Sequence, residues 1–240
     1  PIQVDIDGGT FEAEYAVYQG NPQNNQDAKP VSVEISGGTF NTTATDGRCP
    51  VVNSENTKRI NIIGGTFENP TKLSTELIDP AYDMNDDGTI VADLEASVAK
   101  VGDRYYSDIR QAISDAPEGE TVLLLKPITV TGTNLNIKNG LTLDLDGNTI
   151  TIEETGKSNV GIVFSGGDCC LENGTIIDTR KAAESKSMFT IYVIGENTSL
   201  TTTDLNITVT NSTLKNSTSI AAFVTNYGTL TLDRGTTIDA

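Results

Sequence analysis

Apolar and polar positions alternate along three short stretches near the start of the chain. Val4 and Ile6 do so in VDIDGGTF (4–11), Val33 and Ile35 in VEISGGTF (33–40), and Ile60 and Ile62 in INIIGGTF (60–67). A period of two predicts strands with one buried face. Each strand runs into a glycine pair, which permits a turn that residues with a Cβ resist. These pairs begin at Gly8, Gly37 and Gly64, so the unit returns after 29 and then 27 residues. Periods of this size predict a solenoid whose coils bury their inner faces only against their neighbours. Phe11, Phe40 and Phe67 then occupy equivalent places and are expected to stack in one internal column.

A looser series fills the C-terminal half: LTLDLDGNTITI (141–152), CCLENGTIID (169–178), LNITVTNSTL (205–214) and LTLDRGTTID (230–239). Each pairs an alternating strand with a Gly/Asn/Ser turn, then Thr and an aliphatic residue. Anchored on the threonines at 149, 175, 213 and 237, the spacings are 26, 38 and 24 residues. The long interval is expected to hold a loop extension around IGENTS (194–199).

Residues 70–126 read differently. AYDMNDDGTIVAD (81–93) predicts a hairpin around Asp-Asp-Gly. KVGDRYY (100–106) predicts a short strand pair. Ser107 is then an N-cap candidate for a helix near 108–116, with Ile109, Ala112, Ile113 and Ala116 on one face. Pro117 and Gly119 stop that helix, and TVLLLK follows as a buried strand. An amphipathic helix ahead of the first coil would cover an otherwise bare solenoid end.

At the level of pattern the chain resembles a right-handed parallel β-helix of the pectate-lyase-like class, an all-β solenoid. Segment 104–126 resembles the N-terminal cap of such domains. The GGTF coils and the YDMNDDGTIVA hairpin resemble the end of repeat modules in large secreted or wall-attached surface proteins of Gram-positive bacteria. The resemblance implies closing coils of one module in 1–80, a hairpin or linker in 81–97, and the cap and opening coils of a second module in 98–240. It also implies an extracellular, cell-surface location. Both termini then read as open coil ends, as in a processed or excised segment. Ile2, Val4 and Ile6 at one end, and Leu230, Leu232 and Ile238 at the other, are the expected assembly edges, meeting neighbouring modules or other copies end to end, as in a fibre.

Composition narrows the partners. Sixteen basic residues against 33 acidic ones give a formal charge of −17. That argues against nucleic acid and anionic membrane as partners, since both need a positive face. No run of 18 apolar residues exists for membrane insertion, and no signal peptide is visible. The three cysteines, Cys49, Cys169 and Cys170, imply no disulfide framework and read as small apolar residues.

Candidate chemistry is thin, and no catalytic residue or resident cofactor is assigned. Histidine is absent, which removes His triads, His metal sites and the Gly-His-Gly element of the polygalacturonase branch. A lyase needs clustered carboxylates for calcium and a nearby Arg or Lys base. Asp144 and Asp146, near Glu172, Asp178 and Arg180, are the nearest match, and alternation points these acids to solvent. DMNDDG (83–88) matches the start of a calcium loop through Asp83, Asn85, Asp87 and Gly88, but the twelfth position is Leu94. Calcium is the one metal this stretch suggests, against a plain hairpin turn. Asn-x-Ser/Thr triplets begin at Asn41, Asn173, Asn197, Asn206, Asn211 and Asn216. Trp is absent, which disfavours a strong lectin-like site and leaves Tyr105, Tyr106, Tyr192 and Tyr227 as candidate glycan contacts. The sequence therefore reads first as a structural or adhesive surface module. A polysaccharide lyase or hydrolase is the alternative, and an adhesin binding host or cell-wall glycans on the solenoid flank is the third reading.

Overall fold

A computed structural model describes residues 2–20, 31–43, 52–54, 59–180, 187–209, 218–225 and 227–239. Stacked parallel coils build a β-solenoid of about seven turns, with one short α-helix. The chain divides into two compact units, Pro1–Ser97 and Val98–Ala240.

In the first unit β1 (Ile2–Ala13) pairs in parallel with β3 (Val31–Thr42), as β2 (Val17–Gln19) does with β4 (Val52–Ser54). Beyond β3 lie β5 (Ile60–Ile62) and β6 (Thr66–Phe67), also parallel. The register places Val4 beside Val33 and Val33 beside Ile60, so the alternation in the sequence is the inner face of the coils. The phenylalanine column forms as expected. Phe11 stacks on Phe40 at 4.9 Å and 5° between planes, and Phe40 on Phe67 at 4.8 Å and 12°. Those separations equal the spacing of neighbouring strands, so in-register coils bring the rings into contact without further adjustment.

The glycine pair has two separate jobs. The second glycine takes a left-handed φ, +98° at Gly9, +105° at Gly38 and +98° at Gly65. The first allows close approach. A Cβ on Gly64 would run into the carbonyl oxygen of Ser36 one coil earlier, whereas around Gly8 the space is open. Gly64→Ala is therefore expected to cost about 1–3 kcal/mol, the cost of overpacking. Gly8→Ala should stay within about 0.5 kcal/mol of wild type. Urea unfolding followed by circular dichroism checks the contrast.

The third GGTF coil is covered. Two 3₁₀ turns, Pro70–Lys72 and Thr75–Leu77, lead into the expected hairpin of β7 (Tyr82–Met84) and β8 (Ile90–Ala92), with Gly88 at φ +83°. Ile78 bridges Ile62 in parallel, Thr89 bridges Thr66 antiparallel, and the Ile90 amide donates to the Gly65 carbonyl. Leu73, Leu77 and Ile90 join the buried cluster around Phe40 and Phe67.

The second unit begins with the expected antiparallel pair, β9 (Ala99–Val101) and β10 (Arg104–Tyr106), and β9 lies along β11 (Thr121–Leu124). Between them sits α1 (Ile109–Asp115), with Ile109, Ala112 and Ile113 buried. Its N-cap is Asp108, not Ser107: the Asp108 carboxylate accepts from the Arg110 amide at 2.8 Å. Both residue types cap helices. The first helical turn starts at Ile109, which puts Asp108 in the capping place.

The coils that follow have three sides. One stacks β13 (Leu135–Lys138), the start of β16 (Val160–Asp178), the start of β17 (Ser187–Val209) and β18 (Thr218–Thr225). The second stacks β11, β14 (Thr142–Asp144), the middles of β16 and β17, and β19 (Thr229–Leu232). The third stacks β12 (Ile128–Val130), β15 (Thr149–Ile152), the ends of β16 and β17, and β20 (Thr237–Asp239). Inward Leu, Ile and Val from all three sides fill one core.

The register corrects the anchoring of the C-terminal series. Thr175 lies beside Asn206, not beside Thr213, which falls outside the described residues. Asn206 takes the threonine place and Asp204 (φ +47°) takes a corner that Asn173 (φ +57°) supplies one coil earlier. The extension expected near 194–199 exists in smaller form. Gly195, Glu196 and Asn197 widen the corner where the preceding coil has only Gly166. The Thr198 hydroxyl closes that corner, accepting from the Gly166 amide and donating to the Ile194 carbonyl, both at 2.7 Å.

Candidate functional site

DMNDDG is the hairpin turn between β7 and β8. Its carboxylates serve its own backbone: Asp83 accepts from the Met84 amide at 2.7 Å, and Asp87 from the Thr89 amide at 3.0 Å. The Thr89 amide and then its hydroxyl hold the Asp87 carboxyl below its usual range. The Asn85 amide donates to the Thr89 carbonyl. Among the described residues no three His, Cys, Asp or Glu side chains converge as a metal cage.

The acids of the second unit fall into two environments. Asp144, Asp146 and Glu172 lie on the outer side of the solenoid, as alternation implies. Asp144 accepts from the Asp146 amide at 2.9 Å and from Asn173 Nδ2 at 3.1 Å. Asp178 and Arg180 do not belong with them: Asp178 is 0% exposed and Arg180 2%. The expectation that Asp178 faces solvent is overturned by its own strand parity, since Ile176 is inward and Asp178 lies two residues on. A charge in that place must be paired and hydrogen-bonded. Arg180 grips both carboxylate oxygens, through Nε at 2.9 Å and Nη2 at 2.7 Å, and the Thr190 hydroxyl donates to the same carboxylate at 2.7 Å. Arg180 Nη1 reaches Thr155 Oγ1 at 3.0 Å, and Nη2 the Phe189 carbonyl at 2.8 Å. The guanidinium is thus fully occupied as a staple between coils and is not free to act on a substrate.

Cys169 is buried among the coils, as expected of a small apolar residue, and burial pushes its thiol pKa up. Cys170 points outward beside Glu172, 3.3 Å from its carboxylate. Burial first, then the hydrogen bond and charge of Glu172, push its thiol up to about 12. Thiolate is the reactive form. At pH 8 the Cys170 thiol should therefore carry on the order of 10³-fold less thiolate than an ordinary cysteine. Iodoacetamide labelling read by mass spectrometry should leave Cys170 unmodified over a time that fully labels the urea-unfolded chain. Cys49 lies outside the described residues.

The glycan-contact tyrosines scatter. Tyr105 carries Lys100 at 5.3 Å over its ring, and Tyr106 is buried under Arg104. Tyr227 is exposed. Tyr192 is the one with aromatic company, and sequence reasoning missed its partners. Phe223 stacks on it at 5.4 Å, and Phe189 meets Phe223 at 5.0 Å and Tyr192 at 5.5 Å. The pairing of Tyr192 with Phe223 would have followed from a coil length of 31 residues, had Asn206 been taken as the anchor. Of the triplet asparagines, Asn41 accepts from Asn69 and Asn206 from Thr237. Asn197 is exposed in the widened corner, and Asn211 and Asn216 fall outside the described residues.

The six edge residues lie on the outermost described coils. β1 pairs only with β3, and β18, β19 and β20 pair only with β17, among the described residues. Val4 is 42% exposed, while Val33, one coil inward at the same place, is 7% exposed. Ile2, Leu232 and Ile238 are likewise exposed, and Ile6 and Leu230 are half-buried against their own cores. The two edges also share a coil pattern. Val4, Ile6, Gly8, Thr10 and Phe11 match Leu143, Leu145, Gly147, Thr149 and Ile150 place for place. Leu230, Leu232, Thr237 and Ile238 repeat that pattern with one extra corner residue.

Comparison with protein-family models, with curated proteins and with solved structures finds no match. Among the described residues, no helix is long and apolar enough to cross a membrane.

Proposed function

We propose that this chain is a structural module of an extracellular bacterial surface protein, extended by adding further coils end to end. The exposure of Val4, against the burial of Val33 at the same place one coil inward, carries this reading. A strand edge with an uncovered apolar face is a template for another strand. The shared coil pattern makes a coil of the same kind the fitting occupant, supplied by a neighbouring module or by a second copy. A head-to-tail contact of that sort gives fibres where its rotation does not close into a ring. The surface location rests on the resemblance of the GGTF coils and hairpin to modules of the pectate-lyase-like class in Gram-positive surface proteins. A lyase or hydrolase is the weaker reading, because Arg180, the candidate base nearest the acids, is committed to Asp178.

Sedimentation velocity tests the stacking. The wild-type chain should associate as concentration rises, and Val4→Lys or Leu232→Lys should weaken that association at least about tenfold by placing an unpaired charge in a buried stack. Association that is unchanged in both variants would remove the stacking edges from the account.

A further inference from the structure

We propose that Glu12 and Asp239 gate the end-to-end stack, holding copies apart while both are ionised and letting them join when either is neutralised. The gate rests on the stacking edges proposed above. Thr10 and Phe11 at one edge, and Thr237 and Ile238 at the other, occupy the same two places of the coil. Each unit builds a column from the first of those places: Thr10, Thr39 and Thr66 in one, and Thr149, Thr175, Asn206 and Thr237 in the other. A coil added in that register sets Glu12 of one copy beside Asp239 of the next, at the ~4.8 Å spacing of neighbouring strands. Both residues are exposed.

Within its own unit neither acid lies beside another acid at that place. Glu12 is paired with Asn41, and Thr129, Thr151, Ile177 and Thr208 lead along the column to Asp239. The joint is where carboxylate first meets carboxylate in this column. The surrounding charges do not relieve the pair. Asp5, Asp7 and Glu14 flank Glu12 along the chain, β3 adds Glu34 opposite Asp5, and Glu68 follows Phe67 in the third coil. On the other edge, Asp204, Asp233 and Arg234 share the corner that precedes β20. Arg234 is the one cation of that group, and Thr237 and Ile238 stand between it and Asp239. Two ionised carboxylates at strand spacing across a solvated joint weaken association about tenfold. Bringing together two chains of formal charge −17 works in the same direction.

Sedimentation velocity of the full chain at fixed ionic strength tests the gate. At neutral pH, Glu12→Gln and Asp239→Asn should each strengthen association about tenfold, because either change removes the repulsion. The double variant should gain no more than either single one, since one pair is broken only once. Wild-type association should also tighten as the pH falls toward about 4.5, where carboxylates begin to protonate, and both single variants should tighten less. Gains that multiply in the double variant would report loss of net charge alone and overturn the gate, as would no gain in either single variant. The stacking edges are read separately. If Val4→Lys and Leu232→Lys leave association unchanged, the stacking falls and the gate with it. If they weaken association while Glu12→Gln and Asp239→Asn gain nothing, the gate alone fails.

Discussion

Replacing Asp178 with alanine is expected to destabilise the second unit by about 3–5 kcal/mol. The variant leaves the Arg180 guanidinium buried at 2% exposure without its counter-ion. Thr155 and the Phe189 carbonyl would still accept from it, but neither carries charge. The Thr190 hydroxyl would also lose its acceptor. Urea unfolding read by circular dichroism measures the loss. The double variant Asp178→Leu/Arg180→Met should recover most of it, because apolar residues of similar volume remove the buried charge along with its partner. If the single variant proves as stable as wild type, the staple contributes nothing and Arg180 has a solvent route that the structure does not show.

The second large effect is expected at Phe40. It is fully buried and touches a ring on each side, Phe11 at 4.9 Å and Phe67 at 4.8 Å. Phe40→Ala should cost about 3–5 kcal/mol, combining lost burial with a cavity that two rigid neighbours cannot fill. Phe11→Ala should cost less, since Phe11 is half-buried and, among the described residues, stacks on one ring, Phe40. Phe40→Leu keeps most of the apolar volume and should lose about 1 kcal/mol through the missing stacking contacts. Unfolding of the first unit, separated by its response to Phe40→Leu, gives the ranking. Equal losses at Phe11 and Phe40 would mean that the column does not stack as a series.

Most of the solenoid was legible because its signals are local. Alternation at Val33 and Ile35 marks the inner face, the Gly-Gly pair marks the corner, and the period places Phe40 between two rings. The hairpin at Asp87-Gly88 and the apolar face of α1 follow from equally short-range rules. Legibility failed where one residue type fits two roles. Ser107 and Asp108 both cap helices, and only the start of the first turn decides between them. Thr213 offered a better match to the repeat than Asn206, which holds the threonine place. That slip hid the coil length that pairs Tyr192 with Phe223. Asp178 was misplaced for another reason: its charge outweighed its parity with Ile176. Parity was the better guide, because a buried acid is tolerated wherever a cation such as Arg180 can reach it.

End-to-end stacking is the centre of the functional account, and disulfide trapping tests it most directly. Asp5 and Thr231 sit on the outer side of β1 and β19, between Val4 and Ile6 and between Leu230 and Leu232. In a parallel stack that continues the shared coil pattern, they become neighbours at strand spacing, within the Cα range a disulfide accepts. Oxidation of the Asp5→Cys/Thr231→Cys variant, followed by peptide mapping, should yield a ladder of multimers joined between position 5 of one copy and position 231 of the next. Only same-position links, or monomers at every concentration, would contradict the account.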